Sequence, residues 1–207
     1  MCIKDNLINL TKVRKMSRKV IDCEKLSGLL KGILSKKDEI RNAHYKQLLQ
    51  ISIEQPDLLY SKWDYIATFL DSDNHYHRYI AITLLANLAV VDVVNKFEKI
   101  FDKYFANIDC DRTMVAGQAA LNSGKIAKAK PTLQTDITNR LINIDKTHQG
   151  KHVELIKSYA IEAFNEFFMD FSDKNKILGF VELQLKSESP KTRRIATEFL
   201  KKWQNFV

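Results

Sequence analysis

The chain has 207 residues, of which 45% are hydrophobic and 28% charged, and its formal net charge is +8. This length and hydrophobic share suffice for one continuous core, so we predict a single globular unit. No run of 18 apolar residues is present, which argues against a membrane-spanning helix, and no secretion signal is recognisable at the N-terminus. The three cysteines are far apart and favour neither a disulfide framework nor a zinc site. We therefore expect a cytoplasmic protein.

Apolar residues recur at helical spacing along almost the whole chain, which contains only six Gly and three Pro. We predict a basic N-terminal arm or helix over residues 1–20, followed by a helical repeat domain over residues 21–207. That domain is predicted to contain ten main helices in five antiparallel pairs. The pairs are 21–34 with 37–52, 57–70 with 75–91, 93–107 with 111–127, 132–144 with 151–170, and 174–186 with 190–204.

Prolines and short polar turns mark the places where these helices begin. Pro56, Pro131 and Pro190 each stand where a first helical turn is expected, and there the missing N–H costs nothing. Residues 71–74 are Asp-Ser-Asp-Asn and residues 109–111 are Asp-Cys-Asp, so both turns contain residues that commonly cap helices. Their side chains can accept hydrogen bonds from the unpaired N–H groups of the next helix.

A short motif, the alanine motif, repeats in the second helix of four pairs. It consists of an alanine followed, three and four places later, by apolar or small residues. The alanines are Ala81, Ala116, Ala160 and Ala196, at intervals of 35, 44 and 36 residues. Self-similarity near 40 residues is typical of stacked helix pairs, because no pair can bury its apolar face alone. We expect Ala116 and Ala160 to be buried where helices approach closely.

These features resemble HEAT repeats, an armadillo-like family of helical repeats. Repeats of that family carry a basic residue three places before the alanine of the second helix. Arg78, Lys157 and Arg193 stand in that place here, while Thr113 replaces it in the third pair. The resemblance implies an all-α, right-handed superhelix in which each basic residue pairs with the turn acid of a neighbouring repeat. It covers residues 55–205 and identifies a fold rather than a function.

The positive charge is concentrated at the two ends of the chain. Residues 1–37 hold ten Lys and Arg against three acidic residues, residues 38–185 hold 17 against 20, and residues 186–207 hold six against two. A fold that itself binds a phosphate backbone carries its excess positive charge along the repeat body. This distribution disfavours nucleic-acid binding by the body of the domain.

The surface of the second helices, opposite the alanines, is predicted to bind a protein partner. A helical wheel with 3.6 residues per turn places positions −2, +2 and about +5 from each alanine on that surface. Most side chains at these positions are apolar or uncharged, whereas phosphate binding depends on Lys and Arg. The predicted partner-binding residues are Tyr79, Thr83, Met114, Gln118, Leu121, Ser158, Glu162, Asn165, Arg194 and Glu198.

The densest basic cluster of the chain lies at residues 12–19. Three interpretations remain open: a solvated helix end, an arm that contacts nucleic acid or an acidic partner, and a targeting signal. No base-stacking aromatic residues are interleaved with the cluster, which disfavours specific recognition of single strands. The residues that would contact phosphates are Lys12, Arg14, Lys15, Arg18 and Lys19.

We find no sequence pattern that indicates a catalytic residue, a cofactor or a metal site. His75 and His77 lie two places apart in a turn, whereas metal-binding helices place two His at i and i+4. His148 and His152 have that interval, but Gly150 between them interrupts the helix. The aromatic residues within 164–171 are interpreted as core, because such side chains bury a large area.

The sequence favours a non-catalytic scaffold that binds a protein of unknown identity. The alternative is sequence-independent nucleic-acid binding through the basic ends. Less favoured is an enzyme similar to the DNA alkylation repair glycosylases, which place Trp, Asp and Arg at the lesion in a basic groove. Neither Trp63 nor Trp203 lies on the predicted partner-binding surface. Trp203 is expected in the core, and Trp63 is expected to be partly exposed, as a possible binding anchor.

Replacing Arg14, Lys15, Arg18 and Lys19 with Ala tests whether the basic arm contacts phosphates. Each contact contributes about −0.9 to the slope of log affinity against log salt for duplex DNA, so the slope should flatten by up to about four contacts. Stability should change little, because exposed substitutions cost little. Anisotropy of a labelled duplex at several salt concentrations gives the slope. An unchanged slope with a lowered melting temperature would make the arm part of the fold.

Overall fold

The computed structural model describes residues 23–203, and these form α-helices, short 3-10 helices and no strand. The all-α prediction is therefore confirmed for this part of the chain. The helices are α1 Cys23–Gly32, α2 Asp38–Glu54, α3 Pro56–Tyr60, α4 Trp63–Ala67, α5 His75–Leu88, α6 Lys96–Asp109, α7 Thr113–Ala129, α8 Gln134–Ile142, α9 Ile144–Thr147, α10 Val153–Phe164, α11 Lys174–Leu183 and α12 Pro190–Trp203. None of them is long and apolar enough to cross a bilayer.

Seven of the ten predicted helices begin and end within three residues of their predicted bounds, and the other three differ more. The helix predicted at 57–70 is interrupted at residues 61–62, and the helix predicted at 132–144 is interrupted at Asn143. The helix predicted at 151–170 begins at Val153 and ends at Phe164, because the next N–H groups bond to the carbonyl three residues back rather than four. All three prolines stand at the first turn of a helix, as predicted.

One of the two predicted capping turns caps its helix through a side chain. The Asn74 side chain accepts a hydrogen bond from Tyr76 N at 2.9 Å and so satisfies the N-terminus of α5. His77 lies in the same turn, where its Nδ1 is 3.2 Å from Ser72 Oγ. In the turn before α7, Arg112 occupies the cap position without a side-chain hydrogen bond.

Helices that are consecutive in the chain pack against each other, and so do corresponding helices of neighbouring pairs. Within pairs, α1 contacts α2, α3 and α4 contact α5, α6 contacts α7, α8 and α9 contact α10, and α11 contacts α12. Between pairs, α2 contacts α5, α5 contacts α7, α7 contacts α10, and α10 contacts α12. We call α2, α5, α7, α10 and α12 the second helices, and the others the first helices. One hydrophobic core runs through all of them.

Small residues allow the second helices to approach closely. Ala116 and Ala160 are fully buried, as predicted, and Ala81 and Ala196 are equally enclosed. One close approach is at Gly124 of α7, where an added Cβ would lie only 2.4 Å from the backbone oxygen of Ala163 in α10. The repeated alanine motif therefore marks the faces through which neighbouring second helices pack against each other.

The aromatic residues within 164–171 and Trp203 belong to the core, as predicted. Phe164, Phe168 and Trp203 are buried and in contact with other aromatic rings. The expectation of a partly exposed Trp63 is wrong: it is 1% exposed and packs 6.4 Å from the ring of Phe97. The break between α3 and α4 shifts the helical register, and Trp63 consequently faces the core.

The basic residue before each alanine does not form the predicted ladder between repeats. Arg193 Nη1 donates to the carbonyl oxygen of Ser187 at 2.6 Å, in the turn that precedes its own helix. Lys157 pairs with Asp145 of its own helix pair and with Glu154, one turn earlier in α10. Both side chains therefore reach acceptors within their own helix pair rather than in a neighbouring repeat.

Polar links between consecutive pairs are found instead along the first helices. Each link joins a side chain of one first helix, or of its 3-10 extension, to the first helix of the next pair. The partners are Asp64 with Lys96 at 2.7 Å, Asp71 with Lys103, Asp102 with Arg140, and Asn139 with Lys176 at 2.6 Å. Most of the carboxylates are exposed, so each ion pair contributes little free energy on its own.

A buried carboxylate connects the second pair to the third. The side chain of Asp92 is fully enclosed and accepts a hydrogen bond from Tyr60 Oη at 2.6 Å. It also accepts from the backbone N–H groups of Lys96 at 2.9 Å and Phe97 at 2.8 Å, at the beginning of α6. Asp92 thereby fixes α3 against the N-terminus of α6.

Lys130, at the end of α7, supplies the counter-charge to this carboxylate. Its Nζ lies 2.9 Å from both the Asp92 and the Glu98 carboxylates, and the residue is only 6% exposed. Burial by itself raises the pKa of Asp92, but the hydrogen bonds it accepts outweigh that effect, and the pKa is lowered. Asn95, in the left-handed region with φ of 56°, also accepts from Lys130. The Asp92 carboxylate is therefore ionised at neutral pH, and both of its oxygens accept hydrogen bonds.

The close approach at Gly124 predicts that Gly124→Ala destabilises the protein by about 1–3 kcal/mol, because the new methyl group overlaps a backbone that cannot move alone. Gly179→Ala in α11 is the control, since nothing lies within 4 Å of its added Cβ. There the helix propensity of Ala should stabilise by up to about 1 kcal/mol. Urea unfolding of both variants measures the difference. Equal unfolding midpoints would contradict the close packing of α7 on α10.

The buried cluster predicts that Asp92→Asn lowers the free energy of unfolding by about 3–5 kcal/mol, because it leaves Lys130 with an incomplete counter-charge. Since the folded-state pKa of Asp92 is lowered, its contribution is present above the unfolded pKa, about 3.9, and is lost as pH falls through the folded value. The parent should therefore lose stability below about pH 4 more steeply than Asp92→Asn. Asp102→Asn, on an exposed ion pair, should cost at most about 1 kcal/mol.

Candidate functional site

Three cavities adjoin one another along the second helices. The central cavity, of about 390 Å³, is lined by α2, α5, α7 and α10 and includes Tyr45 and Leu121. It shares Lys125 with a cavity of about 350 Å³, and Tyr79 and Gln118 with a cavity of about 450 Å³. We call this continuous depression the second-helix groove.

Six of the predicted partner-binding residues line the second-helix groove. These are Tyr79, Thr83, Met114, Gln118, Leu121 and Glu162. Arg194 and Glu198 are exposed on α12 and form an ion pair at 2.6 Å. Asn165 follows the end of α10, and its Oδ1 accepts from Trp203 Nε1 at 2.9 Å.

Two of the predicted residues are buried and are corrected here as surface residues. Ser158 is fully enclosed and donates to the carbonyl oxygen of Leu155 at 2.7 Å, so it cannot contact a partner. The adjacent Tyr159 lines the groove instead, so the helical wheel was wrong at this position of α10, although it placed Glu162 of the same helix correctly. Thr83 is only 4% exposed and contributes through its hydrogen bonds rather than its surface.

Several groove residues were missed by the sequence analysis because they lie outside the alanine-based register. Tyr45 and Ile53 come from α2, which lacks the alanine motif from which wheel positions were counted. Tyr45 does lie 34 residues before Tyr79, an interval close to the repeat length, and that interval could have revealed it. Lys125 lies further along α7 than the positions counted from Ala116. Glu166 lies beyond the end of α10.

Aromatic and amide side chains form the rigid middle of the groove. The rings of Tyr45 and Tyr79 meet edge to face with centroids 6.0 Å apart. Burial raises the pKa of Tyr45 to about 12, so this phenol is neutral at physiological pH. Gln118 Nε2 donates to Thr83 Oγ1 at 2.8 Å, and Thr83 Oγ1 donates to the carbonyl oxygen of Tyr79 at 3.0 Å. These bonds hold the polar groups in one orientation.

A second chain of hydrogen bonds ends at a lysine. Ser52 Oγ donates to the carbonyl oxygen of Leu49 at 2.7 Å and accepts from Asn87 Nδ2 at 2.9 Å. The other end of the Asn87 amide accepts from Lys125 Nζ, also at 2.9 Å. Partial burial lowers the pKa of Lys125, and the nearby Glu166 acts in the opposite direction. The lysine ammonium is thus held at a defined position in the groove.

Charged side chains at the rim of the groove are largely paired. Lys128 lies 3.7 Å from the Glu166 carboxylate, and Lys191 lies 3.7 Å from that of Glu162. Lys191 Nζ is also 3.7 Å from the ring centroid of Tyr159, a cation–π contact.

Exposed aliphatic side chains lie at one end of the groove. Ile53 is 63% exposed and Val90 is 67% exposed, and both line the cavity that contains Lys125. Val93 and Val94, in the turn that follows, are also exposed. Adjacent exposed aliphatic residues are unusual on a monomer surface and are typical of interaction sites.

The predicted phosphate-contacting residues at 12–19 lie outside the described residues. Within residues 23–203, no group of three His, Cys, Asp or Glu side chains is arranged to hold a metal ion. No protein-family model matches the chain, and comparison with curated proteins found no match.

Proposed function

We propose that this protein is a non-catalytic scaffold whose second-helix groove binds a segment of another protein. The observation that carries the proposal is the continuity of the groove over α2, α5, α7 and α10. Half-buried tyrosines, exposed aliphatic residues and fixed amide groups along its length are the mixture found at protein interfaces.

The proposed architecture is a right-handed superhelix of five antiparallel helix pairs, similar to HEAT repeats. The contacts of each second helix with the next, and the polar links between first helices, support this arrangement. Stacked pairs of this kind offer a long binding surface made from many repeats. A cytoplasmic location is part of the proposal, and the free thiol of Cys110 is compatible with a reducing compartment.

The groove suits a protein segment better than a nucleic acid. Of the charged groups that line it, Lys128 pairs with Glu166, and Glu162 pairs with Lys191. A phosphate backbone requires a series of cations along its path, and acidic groups in the groove repel it. The basic arm remains the place where sequence-independent nucleic-acid binding is proposed as the alternative.

The glycosylase alternative finds less support. Such an enzyme needs aromatic and charged side chains accessible at the lesion, in a basic groove. Trp63 and Trp203 are 1% and 8% exposed, so both tryptophan rings are buried in the core and are not accessible to a base.

Charge introduced at the exposed aliphatic residues of the groove should abolish partner binding. We expect Ile53→Arg to reduce the partner captured from extract of the source cells by about tenfold or more, the effect of losing roughly 1.4 kcal/mol. Quantitative mass spectrometry on the tagged full chain at physiological salt provides the measurement. Leu183→Arg, at a residue that is 73% exposed on a first helix, is the matched control and should capture as much as the parent.

Two results would reverse the proposal. One is recovery of the same proteins in the same amounts with Ile53→Arg as with the parent chain. The other is co-purification of nucleic acid that is released by salt, with no protein that depends on the groove.

A further inference from the structure

We infer that the second-helix groove selects a segment in which an acidic side chain lies beside aliphatic ones, and that Lys125 binds the carboxylate. This inference rests on the proposed protein-binding function and names the chemistry of the partner. It is carried by charge complementarity at Lys125 and by the aliphatic residues that share its cavity.

The middle of the groove carries an unbalanced positive charge. Helices α5 and α7, which form its centre, contain no Asp or Glu at all. The two groove carboxylates come from further along, and each has its own cation: Glu166 has Lys128, and Glu162 has Lys191. Lys125 instead donates to the neutral amide oxygen of Asn87. Glu166 is near enough to raise the pKa of Lys125, but among the described residues no carboxylate lies within ion-pair distance of its ammonium. Lys125 is therefore the groove cation whose charge is open to an anionic partner.

Lys125 is also positioned in advance of binding. Its ammonium has three donors, and the bond to Asn87 uses one of them. Asn87 is oriented by its bond to Ser52, which is itself buried, so the lysine is held from the core of the domain. A carboxylate that accepts from the remaining donors forms a charge-assisted hydrogen bond. Because the site is partly shielded from water, that bond is stronger than on an open surface.

Aliphatic side chains stand next to this cation. Ile53 and Val90 line the same cavity as Lys125 and are mostly exposed in the free protein. Burial of an aliphatic side chain against them contributes the apolar part of binding. A segment that fits must therefore present a carboxylate and an aliphatic group on one face. This means positions i and i+2 in an extended chain, or i and i+3 or i+4 in a helix.

The same site is poorly matched to nucleic acid. A strand has phosphates at every nucleotide, and those on either side of Lys125 would approach Glu162 and Glu166. A single carboxylate flanked by aliphatic groups requires only one cation, and the nearby Glu166 is itself paired with Lys128. An acidic-aliphatic peptide is consequently the occupant that the groove chemistry favours.

Selection from a library of random 12-residue peptides displayed on phage tests this inference with the full chain as bait. The parent should select peptides in which Asp or Glu accompanies Leu, Ile or Val at one of those spacings. A synthetic peptide of the selected sequence should bind Lys125→Gln at least about tenfold more weakly than the parent, and Lys125→Glu more weakly still. Exchange of its acidic residue for Lys should restore binding to Lys125→Glu.

Lys99→Glu, at an exposed residue on a first helix, is the charge-matched control and should bind the selected peptide as the parent does. Thermal unfolding of each variant distinguishes lost binding from lost folding, and Lys125→Gln retains a hydrogen-bonding side chain in case Lys125→Glu unfolds. Selected peptides without an acidic residue, or equal binding to Lys125→Gln, would overturn this inference and leave protein binding intact. No selected peptide, together with tight binding of a 20-nucleotide single strand, would overturn both proposals.

Discussion

The close approach of neighbouring second helices is the constraint on which the rest of the structure depends. Where α7 meets α10, no atom larger than hydrogen fits between Gly124 and the backbone at Ala163. Small residues at these contacts bring the helices together, and the opposite faces of the same helices then lie near enough to form one groove. On that face Tyr45 of α2 meets Tyr79 of α5 edge to face, and Gln118 of α7 donates to Thr83 of α5.

Much of this fold could be predicted from the sequence, because the alanine motif and the prolines depend on local geometry. The buried alanines and the helix starts followed from spacing alone. The break at residues 61–62 and the early end of α10 did not; Trp63 and Phe167, which follow these two points, are both buried. Tertiary packing decides such positions, and a helical wheel drawn through a break gives the wrong face.

The candidate site was only partly predictable for a related reason. Wheel positions counted from an alanine identified Tyr79, Gln118 and Leu121, but the same count in α10 selected the buried Ser158 in place of Tyr159. The sequence does not single out Lys125, because its bond to Asn87, 38 residues away, and the pairing of the other groove charges both depend on the fold. A charge balance by segment cannot reveal which cation forms no ion pair.

The links between the first helices have a mechanical consequence. Extensive contacts among the described helices join only neighbouring pairs. On the first-helix side, exposed ion pairs cross the interfaces between the second and third pairs and between the third and fourth, and dissolved salt weakens such pairs. On the second-helix side, the third and fourth pairs meet through the close packing of Gly124 against the backbone of Ala163, next to the ion pair of Lys128 with Glu166. At this interface the packing at Gly124 is therefore independent of ionic strength, whereas the link from Asp102 to Arg140 weakens as salt is added.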